Sequence, residues 1–130
     1  MTPHGLSLPF SIDDLYSGLA RVDGLLRLKD DQLLIEFQKQ DNLMGIFKGN
    51  SQSRTIPLRQ IFKVELKSSW FGRSLLLRPT TLSAFQGIPG ADEGELKLKF
   101  KKRDLELAKD LVSHLNLRLS EIRLQDMDEE

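Results

Sequence analysis

Two rhythms divide the chain. From residue 19 to about residue 100 apolar side chains recur mainly at every second position, the period of a half-buried strand. From Lys101 to Leu124 they recur at every third or fourth. In that second stretch Leu105, Ala108, Leu111, Val112, Leu115, Leu119 and Ile122 form a stripe about 120° wide at roughly 100° per residue, which predicts an amphipathic helix needing an apolar surface to lie on. The strands before it supply that surface.

Ala20, Val22, Gly24, Leu26 and Leu28 alternate with Arg21, Asp23, Leu25, Arg27 and Lys29. After a turn at Lys29-Asp30-Asp31-Gln32, residues 33–39 form a second strand and close a hairpin. A third, short strand covers 43–48 and ends at the turn cluster Gly49-Asn50-Ser51. A fourth covers 54–58 with Pro57 at its end, since a proline cannot donate to a ladder. A single helical turn at 58–61 leads to a fifth strand in which Phe62, Val64 and Leu66 alternate with Lys63, Glu65 and Lys67. Trp70 and Phe71 lie near the tip of the next turn, and a sixth strand at 74–78 stops at Pro79. In the long connection 80–93, Leu82, Phe85 and Ile88 recur every third residue and predict a short helical segment on the core. Leu96, Leu98 and Phe100 face inward from the seventh strand, with Lys97 and Lys99 facing out.

Two end segments complete the pattern. Phe10 to Gly18 is expected to be a helical turn, capped by Ser11, with Asp13 and Asp14 in its first turn and Phe10 and Leu15 as a hydrophobic staple. Residues 125–130 are expected to be a frayed acidic tail. The expected organisation is therefore an N-terminal segment 1–18, a domain 19–124 and a tail 125–130. Its fold class is mainly β with α: a seven-stranded antiparallel bent sheet or partly open barrel, capped by one C-terminal amphipathic helix.

Composition narrows the chemistry. A chain of 130 residues fits one domain. Lys+Arg and Asp+Glu balance at 19 each, so no global field favours nucleic acid. The absence of cysteine excludes thiol nucleophiles, thiolate metal sites and disulfides. The first residues carry neither a basic nor an apolar signal region, and no apolar run approaches the ~20 residues of a membrane span. A cytoplasmic location is the expectation.

The segment Ile56-Pro57-Leu58-Arg59-Gln60-Ile61-Phe62-Lys63-Val64-Glu65-Leu66, the strand Leu96-Lys97-Leu98-Lys99-Phe100 and the helix from Asp104 through Leu119 together resemble a bacterial pleckstrin-homology-like domain. The likeness spans about residues 19–124 and rests on element order and apolar pattern. It implies a bent seven-stranded sheet with a helix at its end. It also implies non-catalytic work: binding lipid headgroups, binding proteins or assembling with itself. Members that bind phosphoinositides cluster Lys and Arg in their first hairpin. Here the turn read as that hairpin is Lys29-Asp30-Asp31-Gln32, whose carboxylates repel phosphate.

No catalytic constellation emerges. The aspartate pairs 13–14 and 30–31 are adjacent residues that point apart in a strand, the glycines match no phosphate loop, and no cofactor is implied. His114 lies near Asp110 and Arg118, and with His4 distant it makes no metal site. Trp70 and Phe71 either fold back over the sheet or insert into a partner or a membrane interface. Leu117 and Leu124, one heptad apart and off the main stripe, are either isolated surface leucines or a helix–helix contact between subunits. Leu25 and Leu34, on outward faces, either pack under the N-terminal segment or meet a neighbour.

The leading expectation is a non-enzymatic interaction or self-assembly module. It touches a protein partner or a second copy through Trp70, Phe71, Leu117 and Leu124. The second is a peripheral membrane or lipid-headgroup binder using Arg27, Lys29, Lys48 and Arg54 as candidate anion-binding residues around the open end of the sheet.

Overall fold

The computed structural model describes residues 6–15, 20–41, 46–91 and 94–128, with side chains at 14–20 and 39–50 outside the description. Seven antiparallel strands form one open sheet: β1 (Ser7–Leu15), β2 (Ala20–Lys29), β3 (Gln32–Asp41), β4 (Ile46–Pro57), β5 (Ile61–Ser69), β6 (Gly72–Pro79) and β7 (Leu96–Phe100). A single long helix, α1 (Leu105–Asp128), follows. The strand order is β4-β3-β2-β1-β7-β6-β5. The fold class expected from the alternation is thus the one observed.

The sheet's centre is a strand, where the local sequence signals predict a helical turn. Leu8, Phe10 and Ile12 alternate with Ser7, Pro9 and Ser11 and are buried, and β1 pairs with β2 from Ser7↔Arg27 to Leu15↔Ala20. Staple and cap residues at 10–15 are locally compatible with a helix start, but burying three apolar side chains on one face overrides that weak preference. The boundary expected at residue 18 therefore falls inside the sheet. Pro9 is tolerated because β7 meets β1 only at Ser11↔Lys99, leaving the backbone at Pro9 with one neighbouring strand.

Other expected boundaries move for similar reasons. Residues 46–48 and 54–57, expected in two separate strands, belong to one strand, β4, and the Gly49-Asn50-Ser51 cluster is carried within it where pairing shifts between Phe37↔Gln52 and Lys39↔Lys48. Three residues face one there, so the cluster makes a bulge instead of a turn. A second irregularity, between Ile61 and Lys63, reverses the expected parity at the start of β5: Ile61 is buried and Phe62 is 55% exposed. The connection after β6 is a chain of turns with hydrogen bonds such as Ile88 N–H to Phe85 O (3.1 Å). Phe85 and Ile88 are buried as expected, but Leu82 is exposed. His4 and residues 42–45 lie outside the described residues.

The core is closed from two sides. Arg54, on the inward parity of β4 opposite buried Ile35, donates to the carbonyl oxygens of Gln86 and Ala84 and so ties the β6–β7 connection across the sheet to its far edge. Helix α1 lies against β5 and β1 and buries Ala108, Leu111, Leu115, Leu119 and Ile122. The helix also guards the open edge of β5. Asn116 Nδ2 donates to Val64 O (3.4 Å) and Arg123 to Phe62 O, occupying carbonyls that would otherwise invite another strand. Residues expected to be a frayed tail extend the helix to Asp128, and Arg59 pairs with Asp126.

The β2–β3 turn is fastened to this helix. Asp30 takes a left-handed conformation (φ 54°), and Arg118 donates from Nε (2.5 Å) and Nη2 (2.9 Å) to the two carboxylate oxygens of Asp31. The Arg118 hydrogen bond holds the Asp31 carboxyl below the usual carboxylate range, with further attraction from Arg118 and Arg59 charges. A carboxyl lowered on folding stabilises the folded state above its unfolded pKa of ~3.9 and loses that contribution as pH falls through the folded value. Asp31→Asn is therefore expected to lower the urea midpoint slightly at neutral pH, because the pair is exposed. The difference from wild type should close at strongly acid pH. Equal differences at both ends of the titration would contradict this role.

Candidate functional site

The β5–β6 hairpin turns on two residues, Trp70 and Phe71, between Ser69 and Gly72. Ser at the first position and Gly at the fourth suit a type I turn, which accepts most residues between them. Ser69 Oγ accepts the Phe71 N–H (3.3 Å) and donates to Gly72 O (3.3 Å), fixing the turn from its own side chain. The turn thus makes no demand for aromatic residues, nor does the core: Trp70 is 98% exposed and Phe71 100%. Of the two fates open to this pair, folding back over the sheet is not the one observed.

Beside the tip, register gathers cations from three strands. Lys67 on β5 faces Ser74 on β6, and Ser74 faces Lys99 on β7, so these side chains share the outer face. Lys97 stands two residues along the same strand. Lys67, Arg73, Lys97, Lys99, Phe71 and buried Ser74 line a cleft of about 430 Å³ in which no described lining residue is acidic. Two described carboxylates flank the cleft: Asp13 reaches Lys99 (3.5 Å), and Glu65 is already answered by Lys63 (3.0 Å) and Arg78 (3.7 Å). The Lys63 hydrogen bond first, then the charge of Arg78, hold it below the usual carboxylate range.

A scan against known protein-family models, a search of curated proteins and a search of solved structures each find no match to this chain.

The other expected site residues are not drawn together. Arg27 lies on the outer face with Glu36 (3.6 Å), whereas Arg54 lies on the inner parity, engaged with the β6–β7 connection. Lys29 ends β2 beside the tight turn, and the Lys48 side chain lies outside the described residues. The turn 29–32, expected to be the first hairpin, is the second: β1 precedes it, and the segment joining β1 to β2 lies outside the described residues. Asp31 there serves the helix contact. Leu117 and Leu124 are 62% and 61% exposed on α1, at a distance in sequence and element from the hairpin tip. Leu25 and Leu34 are half-buried on the outer face, Leu25 in register with Pro9.

The histidine and carboxylate arrangements stay separate. His114 Nδ1 donates to the Asp110 carbonyl one turn earlier (2.8 Å). Among the described residues no three His, Asp or Glu gather as metal ligands. No described helix is long and apolar enough to cross a membrane. Sequence reasoning found the two aromatics but not the cleft. The outward lysines of β7 were legible; which strand would stand beside them was not.

Proposed function

We propose that this chain is a non-catalytic docking module of pleckstrin-homology-like architecture that attaches reversibly to an anionic membrane surface through the β5–β6 tip. The observation that carries this reading is the pairing of two fully projected aromatics with an adjoining cleft of four cations. Element order and pairing support the architecture: two antiparallel meanders, β1 to β4 and β5 to β7, joined through β1 and β7 and followed by one helix.

Size favours a membrane over a protein surface as the occupant. Two aromatic side chains offer ~150–250 Å² each, well under the ~800 Å² per partner of a standard protein interface. A lipid interface accepts such a small wedge, because Trp and Phe gain by inserting at headgroup level. Each neighbouring Lys or Arg adds about 1 kcal/mol of attraction to an anionic leaflet. The two contributions act together, apolar insertion at the headgroup level and attraction of the cations to the anionic surface.

Trp70 is the chain's single tryptophan, so its emission reports the contact directly. Adding vesicles with a third anionic phospholipid at low salt is expected to blue-shift its fluorescence and to sediment the protein. Vesicles of neutral phospholipid should do neither, and raised salt should reverse the effect. Lys67→Glu with Lys97→Glu should abolish sedimentation, as should Trp70→Ser with Phe71→Ser. Failure of anionic vesicles to shift the emission or sediment the protein at low salt would sink the reading.

A second reading, self-assembly, has its own support in the exposed Leu117, Leu124 and Met127 on one side of α1. It predicts a solution mass that rises with concentration and falls back to monomer in Leu117→Asp, without any response to lipid.

A further inference from the structure

A second cleft, of about 370 Å³, opens at the rim of the sheet where β1, β2 and β7 meet the start of the helix. It shares Arg73 and Lys99 with the outer cleft but has a different floor: the rings of Phe10 and Phe100, buried except for 5% and 7% of their surface. Its charges are partly cancelled. Arg21 holds Asp23 at 2.6 Å, and Lys99 reaches Asp13 at 3.5 Å. Among the described lining residues that leaves Arg73, Lys101 and Arg103 facing Asp104 alone. One polar atom at this rim is conspicuously unserved: Arg73 Nε is buried and has no hydrogen-bond partner. A buried donor without an acceptor is destabilising by itself and marks a place where an acceptor belongs.

The geometry points to a binding site for a small organic anion, in which an oxyanion of carboxylate or phosphate type meets Arg73, Lys101 and Arg103 while a ring or short aliphatic body lies on Phe10 and Phe100. The planar guanidinium of Arg73 suits a two-oxygen group better than an ammonium would. The margins of the two rings that reach the cleft favour more than a bare ion, because inorganic phosphate satisfies the cations without touching the rings. The cavity volume lies within the range of small-ligand sites. Its apolar contact is separate from that of membrane attachment, since neither Trp70 nor Phe71 lines it, although Arg73 and Lys99 border both clefts.

The test uses phenyl phosphate as the probe, titrated into ¹⁵N-labelled full-length protein. Saturable amide shifts are expected at Phe10, Gly24, Arg73, Phe100 and Arg103, with a dissociation constant of about 1 mM or below. Phenylacetate should produce the same pattern, showing that either oxyanion serves. Inorganic phosphate should bind roughly 10-fold more weakly, and phenethylamine, of opposite charge, should leave these amides unmoved. Arg73→Lys should weaken phenyl phosphate about 10-fold. Because that position is partly buried, Lys101→Gln with Arg103→Gln, both exposed, provides a second variant that should also lose affinity in an otherwise unchanged spectrum. The Trp70→Ser, Phe71→Ser protein should bind like wild type. Three results would overturn the site: no saturable shift at 10-fold above that concentration, equal response to inorganic phosphate, or unchanged affinity in both cation variants. Loss of binding in the hairpin-tip variant would place the probe elsewhere and overturn it too.

Discussion

Gly24→Ala is expected to destabilise the protein by about 2–4 kcal/mol through a single added methyl group. Gly24 stands on the inner face of β2, in register between Phe10 on β1 and Phe37 on β3. A Cβ built there overlaps the carbonyl oxygen of Glu36 and lies 2.6 Å and 2.9 Å from two atoms of the Phe10 ring. The ring could turn aside at the loss of its own packing. The Glu36 carbonyl belongs to the β3 backbone and can move only if the strands part. Gly24 does not have a positive φ, so space, not backbone freedom, excludes every other residue. The measurement is a urea transition: the midpoint should fall with its slope unchanged. Gly24→Val should not fold cooperatively. An alanine variant within ~0.5 kcal/mol of wild type would show that the two strands are free to separate, against this account.

Leu115→Asp should uncouple the helix from the sheet. Leu115 is fully buried at the middle of the seam, between Leu111 and Leu119 on successive turns. Even Leu115→Ala is expected to remove about 2–5 kcal/mol. An unpaired carboxylate at that depth adds a desolvation penalty on the same scale, enough to exhaust the ~5–15 kcal/mol that holds a domain of this size. The companion variant Leu117→Asp, two residues along but on the exposed face, should stay within about 0.5 kcal/mol of wild type. Hydrogen exchange is the discriminating readout: amides of 105–122 should lose protection in Leu115→Asp and keep it in Leu117→Asp. Similar behaviour in both would mean that the helix is rotated from the orientation described. The same Leu117→Asp protein also tests self-assembly, because its fold should be intact.

The candidate site was legible in half. Trp70 and Phe71 stand out in any reading of the turn, because Ser69 and Gly72 satisfy its geometry and the residues between them are free to vary. Lys97 and Lys99 also announce their outward direction by alternation. What could not be read is that Lys67 joins them. That depends on the Lys67↔Ser74↔Lys99 row, a register set by hairpin geometry and core packing across three strands. The anion set Arg27, Lys29, Lys48 and Arg54 shows the opposite failure: nearness was inferred without register. Arg27 and Arg54 prove to lie on opposite faces.

By itself the sequence determined the class of this protein: β alternation to Phe100, a helical period after it, and therefore a sheet with one amphipathic helix to cover it. Those features follow from local periodicity, which a linear chain displays directly. It also determined which stripe of the helix would be buried. Only the tertiary structure decided that 7–15 is the central strand, that Gly49-Asn50-Ser51 bulges within β4, and that Phe62 faces solvent. At 7–15 and at the start of β5 a weak local preference competed with the burial of apolar side chains against distant strands, and burial, worth more free energy, prevailed; at 49–51 the β3–β4 ladder continues on both sides of the cluster. Both clefts belong to the same category. Their cations are far apart along the chain, and no periodicity within one strand records which residues of another strand stand opposite it.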